Sequence, residues 1–517
     1  MAGEAARICL KATGSQDEYL LSKKPEDSPF FYDGKSIRHA DFRKYHRNVN
    51  VTNPGAKPTW PFGETIKITF NPSNMGDLLS NMWVSIELPG IANGNYADAV
   101  GRHIFERVTM YVDELEVETF YDDWGIIYDE LYIEPSEKVA RRFEVNRSLA
   151  FDTSDVNEST ARRASDLLIP INLFFSRKYA SDEYSQNSPN RPYFPLCSCW
   201  KQKISFEFKF RPQTFFTDFS GTLTLPEFDV ITEEITLDPL ERMYLMKKEQ
   251  QLVTDVVRRH PSIQTDPGKK TLKNDLVPNV PVKCLHWFFR NAKFEDEKVV
   301  QSDEHTESDL DGEKYIHNRF NFSSNVNFDE LFAFYAPVMD TAKIHINGNP
   351  MPNSLNTGHV YYKYLVPLHK KLSRPIRNVY TYSFSLNPIN AQSSGYLNFS
   401  ELKSDKTNIE FSFEPQNAAG QALLSDTYTC HMYYKGIEIF VFENGKMRYA
   451  TARDVEPSPK RQTATETFKS FDQGKTFVLQ EAVDEVAKVQ PPIGPKRDRK
   501  PNIVDHFLNS VSRLASM

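Results

Sequence analysis

Apolar and polar residues alternate with a period of two along most of the chain between residues 60 and 450. The clearest example is the segment 380–386, within the longer stretch Arg374–Glu414. Such alternation predicts a β-strand with one buried face. Turn residues follow at Asn387-Pro388 and Gln392–Gly395, and further strands are predicted at 396–402 and 409–413. The positions predicted to share the buried face of the first strand are Tyr380, Tyr382, Phe384 and Leu386.

Similar segments form two successive sets, each with about eight short strands. The segments with a visible pattern in the first set are 66–70, 84–88, 108–112, 167–175, 204–210 and 228–237. The second set comprises 284–289, 315–322, 328–335, 344–346, 380–386, 396–402, 409–413 and 428–442. Short strands with polar turns are typical of antiparallel sandwiches. The pattern therefore predicts an all-β fold of two consecutive antiparallel sandwiches or jelly rolls of about eight strands each, in which Cys284–Phe289 is buried on both faces.

One segment departs from the period of two. Apolar residues between Phe120 and Leu131 recur at helical spacing, and Asp122 and Asp123 suit the positive end of a helix dipole. We expect a short helix there that closes one end of the first sandwich, and polar surface loops at 133–165, 177–192 and 298–313.

These segments divide the chain into five parts. Residues 1–59 are polar and irregular and are expected to form an extended N-terminal arm. The first jelly roll is predicted for 60–240 and the second for 282–450, with a connector of partly helical character at 241–281. Residues 451–517 are expected to form a C-terminal tail, whose end, Ile503–Met517, carries the apolar stripe of an amphipathic helix. That helix needs a docking surface because an isolated helix of this length is marginal in water.

Composition narrows the classes of function. The 517 residues carry a net charge of only −7, so no strong basic field indicates specific nucleic-acid binding. Five cysteines, odd in number and scattered, favour a reducing compartment over a disulfide framework. No apolar run approaches the roughly 18–20 residues that a membrane span needs, and no signal peptide is visible. We therefore expect a soluble chain that is synthesised in the cytoplasm.

Two motifs resemble metal sites. Cys197 and Cys199 could share one face of a strand, but no second cysteine pair follows at zinc spacing, so packing in the core is favoured. The acidic loop Asp303–Glu313 partly resembles a calcium loop, but Asn318 stands where a bidentate glutamate is needed. A solvated loop is the favoured interpretation there.

Paired acids at Asp122/Asp123 and Asp129/Glu130 raise the hypothesis of a glycosidase. Neighbouring acids on a helix point in different directions, and no acid is placed across a cleft from them. The chain also has no His-Glu-x-x-His motif and no serine elbow. The sequence therefore predicts no enzyme activity and no catalytic, cofactor-binding or metal-binding residue.

Two basic clusters and several sequons complete the candidate sites. Arg38–Arg47 and Lys496–Lys500 could contact acidic partners, nucleic acid or an anionic membrane surface, although charge runs are usually only solvated. Without a visible signal peptide, modification of the sequons by the secretory route is not expected. The sequon asparagines are Asn50, Asn146, Asn157, Asn321 and Asn398.

Several segments resemble, in the right order, motifs of the major capsid proteins of nucleocytoplasmic large DNA viruses. The most specific is SSGYLNFS at Ser393–Ser400. One departure follows the Asn347-Gly348 turn, where the family usually has Arg-Phe and this chain has Asn349-Pro350. The other similar segments are KATGSQDEYL (Lys11–Leu20), GDLLSNMWVSIELP (Gly76–Pro89), VGRHIFERVTMYVDELEVETFYDDWGIIYDEL (Val100–Leu131), LLIPINLFFSR (Leu167–Arg177), INGNPMP (Ile346–Pro352), VYTYSFSLNP (Val379–Pro388) and YYKGIEIFVFENGKMRYA (Tyr433–Ala450).

The resemblance, which covers roughly residues 10–450, implies a double jelly roll that forms homotrimers of pseudo-hexagonal outline. These capsomers would tile the icosahedral shell of a large double-stranded DNA virus, after synthesis in the host cytoplasm. Implied partners are neighbouring capsomers, penton and minor capsid proteins at the base, an inner membrane near the termini, and the host surface at the outer loops. Two alternatives stay open at this point, a carbohydrate-binding jelly roll and a minor capsid or scaffold protein of the same lineage.

Overall fold

The structure is a computed structural model of the chain. The described residues are 41–52, 62–89, 96, 99–145, 165–177, 192–217, 219–223, 227–295, 300–301, 316–317, 319–320, 322–324, 336–351, 358–391, 393–413 and 426–450. Residues 1–40, the acidic loop 303–313, the predicted strand 328–335 and the tail 451–517 lie outside the described residues, as do residues 146–164 and 178–191.

The strands of the first half form two antiparallel sheets. They are β1 (Phe42–Thr52), β2 (Thr65–Phe70), β3 (Leu78–Leu88), β4 (Phe105–Val112), β5 (Leu115–Tyr121), β6 (Ser165–Pro170), β7 (Phe194–Pro195), β8 (Ile204–Phe210) and β9 (Glu227–Leu237). One sheet has the order β1-β9-β3-β6, with β7 beside β3, and the other has the order β2-β8-β4-β5. The predicted strands at 66–70, 84–88, 108–112, 204–210 and 228–237 are confirmed.

The strands of the second half repeat this arrangement. They are β10 (Gln250–Gln264), β11 (Thr271–Asp275), β12 (Pro281–Asn291), β13 (Val300–Gln301), β14 (Ile316–His317), β15 (Thr341–Ile346), β16 (Asn349–Met351), β17 (Tyr380–Ser383), β18 (Leu397–Asn398), β19 (Asn408–Ser412), β20 (Tyr428–Glu443) and β21 (Lys446–Tyr449). One sheet has the order β10-β20-β12-β17 and the other the order β11-β19-β15-β16. With β13 and β14 set aside as a separate pair, the two halves share one strand order, which is that of a jelly roll.

Short helices lie in the connections between strands. They are α1 (Val100–His103), α2 (Asp122–Leu131), α3 (Pro135–Val145), α4 (Pro239–Lys247) and α5 (Val366–His369), which continues a π-helical turn at Tyr361–Leu365. The predicted helix is confirmed by α2, whereas α3 occupies part of the region expected to be only loop. Within the described part of the chain, every helix is too short or too polar to cross a membrane.

Alternating aromatic residues build the interiors of both sandwiches. On β8, Phe206, Phe208 and Phe210 are buried while Glu207 and Lys209 between them are half-buried. This cluster continues into the second half through residues such as Phe440, whose ring centroid lies 5.6 Å from that of Phe174 in the first half. A second apolar cluster fills the interior of the second sandwich. The two sandwiches therefore share a continuous apolar contact.

β12 is buried on both faces, as its uninterrupted apolar run predicts. Trp287 and Phe289 point into the second sandwich, where both rings pack near Phe411. On the opposite face, the His286 ring centroid lies 5.7 Å from that of Trp124 in the first sandwich, and Phe288 belongs to the apolar cluster that continues from the first sandwich. This strand therefore lies between two hydrophobic cores.

The segment 380–402 differs from its prediction. β17 ends at Ser383, and the predicted strand 396–402 shrinks to β18 followed by a 3-10 turn at Phe399–Glu401. Leu386, expected on the buried face, is 76% exposed, whereas Ser385 on the supposed polar face is buried and lies 2.8 Å, Oγ to Oγ, from Ser394. Ser383 Oγ on the same face donates a hydrogen bond to the backbone carbonyl of Ser385 at 2.9 Å. These hydroxyls are paired inside the protein, so alternation of polarity did not identify the solvent side.

Two long strands lie where the sequence predicted none. β1 pairs with β9 along its full length inside the expected arm, and β10 pairs with β20 inside the expected connector. Both are edge strands in their sheets, and β1 is largely exposed on both faces. Edge strands need less apolar surface than central ones, so they lack a clear alternating pattern.

The Asn347-Gly348 turn named from the sequence forms, and a second asparagine–glycine pair makes the same kind of turn. Asn347 and Gly348 both have positive φ, 49° and 87°, and connect β15 to β16. Asn444 and Gly445, at 53° and 81°, connect β20 to β21 in the same way. Positive φ at both central positions is the geometry that a two-residue hairpin needs. The unusual Asn349-Pro350 that follows the first turn still forms a strand.

We expect Trp287→Ala to lower the free energy of unfolding by about 3–5 kcal/mol, because it empties a large volume in the second core. The matched variant Leu386→Ala should change it by less than about 0.5 kcal/mol, because that side chain is mostly exposed. Urea denaturation followed by tryptophan and tyrosine fluorescence measures both values. A large loss for Leu386→Ala would show that this residue is buried after all.

Candidate functional site: the charged seam between the two sandwiches

Helix α2 is the element that joins the two sandwiches. It follows β5 in the first sandwich and is almost entirely buried, with Trp124 fully enclosed. The Trp124 ring centroid lies 5.7 Å from that of His286 on β12 and 6.3 Å from that of Tyr433 on β20. The apolar spacing of the helix, which fits it to a buried surface, thus places its N-terminus against the central strands of the other sandwich.

The two acids at the start of α2 meet three arginines. Asp122 accepts hydrogen bonds from Arg211 at 2.7 and 3.0 Å and lies 2.9 Å from Arg319. Asp123 forms a buried ion pair with Arg290 of β12. Burial opposes ionisation of Asp123, but Arg290 and then Arg319 outweigh it and hold its pKa far below the ordinary value. The Asp123 carboxylate is therefore ionised, and both carboxylates are paired with arginines inside the protein.

Glu295 extends this group toward the end of the second sandwich. Its carboxylate lies 3.1 Å from Nη1 of Arg290 and 2.5 Å from Nε2 of His431. Burial raises the pKa of Glu295, but Arg290 and His431 lower it more, to about 2. A nearby carbonyl of the same residue accepts a hydrogen bond from Arg319 at 3.0 Å.

A second group of buried charges lies between β5 and the strands β10, β12 and β20. The Asp255 carboxylate lies 2.5 Å from Nζ of Lys435 and 3.7 Å from Nζ of Lys283, and all three side chains are only 1–2% exposed. Burial opposes ionisation of Asp255, but Lys435 and Lys283 together hold its pKa well below the ordinary value. The lysines also donate to the backbone carbonyls of Pro388 and Asn390.

Arg177 links this group to the first sandwich. Its guanidinium pairs with Glu118 of β5 and donates a hydrogen bond to the backbone carbonyl of Asp255 at 2.7 Å. Glu118 also accepts hydrogen bonds from the backbone amides of Val257, at 2.7 Å, and Phe174, at 2.6 Å. One carboxylate thus joins backbone from both halves of the chain.

We refer to these two groups together as the charged seam. The charged seam attaches the two sandwiches to each other, because each of its carboxylates is already matched by a cation or by backbone donors. A buried ion pair contributes little net stability but is costly to break, so it fixes how two surfaces fit. The members of the charged seam are Glu118, Asp122, Asp123, Arg177, Arg211, Asp255, Lys283, Arg290, Glu295, Arg319, His431 and Lys435.

The cysteine motif packs in the core, as favoured from the sequence. Cys197 and Cys199 are buried free thiols in a 3-10 turn, Leu196–Cys199, rather than on the strand that the sequence suggested. Burial raises the pKa of Cys197 to about 11, which disfavours the thiolate that a metal needs. Among the described residues, no group of three or more His, Cys, Asp or Glu side chains is placed to hold a metal ion.

The acid pairs serve the interior of the protein. Asp122 and Asp123 belong to the charged seam, Asp129 lies 2.8 Å from Arg102, and Glu130 lies 3.5 Å from Arg377. Each carboxylate has an arginine partner, which is a structural role and gives the glycosidase hypothesis no support.

The remaining candidates lie on the surface or outside the described residues. The basic cluster Arg38–Arg47 falls partly on β1, where Lys44 pairs with Glu233 at 2.8 Å. The cluster Lys496–Lys500 and the sequons at 146, 157 and 321 lie outside the described residues, and only the backbone of residue 50 is described. The Asn398 side chain accepts a 2.6 Å hydrogen bond from Ser400 of its own sequon.

Sequence reasoning missed most of the charged seam. The signal that could have found it is a charged residue inside a strongly apolar strand, such as Arg290 after Trp287-Phe288-Phe289 or Asp255 before Val256-Val257. Such residues are rarely buried without a partner. The identity of the partners depends on strands far apart in sequence and could not be predicted.

We expect Asp255→Asn to lower the free energy of unfolding by about 3–5 kcal/mol, because it leaves Lys435 and Lys283 buried without a counter-charge. The control Asp266→Asn breaks an exposed pair with Lys269 and should cost less than about 0.5 kcal/mol. Urea denaturation measures both. The double variant Asp255→Asn/Lys435→Met should recover part of the loss, and equal losses for Asp255→Asn and Asp266→Asn would contradict the role of the seam.

Glu295 should contribute to the acid stability of the protein. Its folded-state pKa is lowered from 4.5 to about 2, so its stabilising contribution is complete above about pH 4.5 and is lost as the pH falls toward 2. Thermal unfolding between pH 6 and pH 2.5 should show a shallower loss of stability for Glu295→Gln than for the wild type. Parallel curves for the two proteins would exclude this contribution.

Comparison with known proteins finds relatives that share this architecture. The family model described as "Large eukaryotic DNA virus major capsid protein" matches residues 241–447, and the model "Major capsid protein N-terminus" matches residues 43–234. The major capsid protein of Paramecium bursaria Chlorella virus 1 is 21% identical over 420 residues, which cover 80% of this chain and 88% of that protein.

Solved structures agree on the fold. A quasi-atomic model of the PBCV-1 virus capsid superposes with a TM-score of 0.63 at 18% identity, over 81% of this chain and 99% of that chain. The Faustovirus major capsid protein superposes with a TM-score of 0.54 at 11% identity, over 86% of this chain and 99% of that chain. The predicted double jelly roll and the predicted family resemblance are confirmed. The chain belongs to the major capsid proteins of large eukaryotic DNA viruses, a family of structural proteins of the virion capsid and not of enzymes.

Proposed function

We propose that this chain assembles into homotrimeric capsomers of pseudo-hexagonal outline, which tile the icosahedral shell of a large double-stranded DNA virus. The observation that carries this proposal is the repeated strand order, in which one chain holds two sandwiches of the same topology side by side. Three such chains around a three-fold axis present six similar sandwiches. A nearly hexagonal unit of this kind can pack closely on a plane.

The charged seam supports the same function. Because buried carboxylates and cations fix the contact between the sandwiches, each chain enters the capsomer as one preformed block. A preformed block loses little conformational freedom when it associates. We expect obligate interfaces larger than about 2,000 Å² between subunits.

The proposed partners follow from this role. They are neighbouring capsomers at the sides, penton and minor capsid proteins at the base, an inner membrane near the two termini, and the host surface at the outer loops. Specific nucleic-acid binding is not proposed, and synthesis takes place in the host cytoplasm before assembly. Family models of major capsid proteins match both halves of the chain, which favours this function over the carbohydrate-binding and minor-capsid alternatives.

Light scattering coupled to gel filtration tests the trimer. We expect the purified chain to elute with about three times the 59.7 kDa mass of one subunit, and negative-stain images should show objects of nearly six-fold outline. The mass should not depend on concentration in the micromolar range, because subunits joined by obligate interfaces of this size stay associated at such concentrations.

A carbohydrate-binding module would behave differently in the same experiment. A monomer that is retained on immobilised glycans would contradict the capsid function and favour that alternative. Asp255→Asn serves as a control for the effect of lower stability on assembly. It weakens the contact between the two sandwiches, but the residue is buried, so the outer surface of the subunit is unchanged.

A further inference from the structure

The packing of α2 provides a template for a second contact. α2 lies in the connection between β5 and β6 and packs on the outward face of β12 and β20. Since the strand order repeats, the equivalent connection in the second sandwich is the one between β16 and β17. That connection also carries a helix, which runs through residues 359–369 and includes the π-helical turn and α5.

The second helix is exposed where the first is buried. Val360 is 53% exposed, Leu365 38% and Leu368 57%, although all three are apolar. With Tyr361 and Arg374 they line an open groove of about 460 Å³. Exposed apolar side chains that lie together on one helix face indicate a surface for association.

The surface equivalent to that of β12 and β20 lies on the first sandwich. It is the outward face of β3, β6 and β9, where Trp83 and Ile231 are half-buried and Leu168 is 37% exposed. These three side chains are neighbours, because Trp83 pairs with Ile231 in register and Ser85 pairs with Leu168. We call this group the Trp83 patch.

The two surfaces carry opposite charge at their rims. Glu87 and Asp166 are exposed and opposite each other in register beside the Trp83 patch. Lys371 and Arg374 are exposed just beyond the helical segment 359–369. β1 lies on the other side of β9 from these acids, and there Lys44 pairs with Glu233 while the His46 ring centroid lies 5.9 Å from that of Trp83. Charges of opposite sign around the two apolar surfaces favour one orientation of contact and disfavour others.

We propose that the helical segment 359–369 of one copy docks on the Trp83 patch of the next copy, in the way that α2 docks on β12 and β20 within the chain. The occupant of each surface is thus a second copy of this chain. The contact joins two different surfaces, so it is head-to-tail, and three such contacts close a ring. The proposal rests on the proposed trimer and specifies which surfaces form it.

Charge reversal of the full chain tests the pairing. Arg374→Glu and Asp166→Arg should each raise the concentration at which half of the subunits are trimeric by at least about tenfold, because each places like charges together. The double variant Arg374→Glu/Asp166→Arg should recover most of that loss. Lys343→Glu, an exposed reversal on β15 in the other sheet of the second sandwich, is the matched control and should leave the trimer unchanged.

Cross-linking tests the geometry without relying on charge. Leu368→Cys/Leu168→Cys should form disulfide-linked trimers under mild oxidation, because each copy then offers one thiol to each neighbour. Either single variant should remain unlinked, and the native cysteines of the described residues are buried. Dimers from Leu368→Cys alone would show that like helices pair and would overturn the proposal.

The outcomes separate this inference from the trimer itself. A stable wild-type trimer that ignores both charge reversals and gives no cross-link would overturn the docking surfaces and leave the trimer standing. A wild-type chain that stays monomeric at all concentrations would contradict the proposed function, and with it this contact. Circular dichroism of each variant confirms that the fold is retained.

Discussion

The rest of the architecture depends on the buried ion pair between Asp123 and Arg290. It joins the start of α2, in the first sandwich, to β12, the strand that is buried on both faces. Removing two charges from water is costly, so the pair exists only where the surrounding surfaces fit closely enough to complete its hydrogen bonds. Apolar contact between the sandwiches supplies most of the free energy, and the buried charges decide the relative position of the two surfaces.

This division of roles explains why the seam is spread over many elements. Glu118 of β5 and Arg177, which follows β6, contact Val257 and Asp255 of β10, and Asp122 and Asp123 of α2 contact Arg319 and Arg290. Because these contacts cross between the two halves of the chain, a shift of one sandwich would leave several charges unpaired at once. A protein that serves as a building unit gains from such rigidity, because small errors in its shape would accumulate across a shell.

Duplication of the fold gives the molecule its second constraint. In each half a helix-bearing connection lies beside the same sheet, and the first packs on the other sandwich of the same chain. Among the described residues, the second helix keeps Val360 and Leu368 more than half exposed. Repetition of the strand order thus places two helices in equivalent positions but gives them different surroundings.

The sequence by itself determined the elements with strong local patterns: the alternating Phe206, Phe208 and Phe210 of β8, the helix α2, the Asn-Gly turns and the doubly buried β12. It also determined the family, through motifs that keep their order. Tertiary structure alone decided the edge strands β1 and β10, the burial of Ser385 and exposure of Leu386, and the partners in the charged seam. The reason is physical: hydrophobic periodicity predicts an element that packs one face in a core, whereas pairing at an edge, burial of the other face and the matching of buried charges depend on residues distant in sequence.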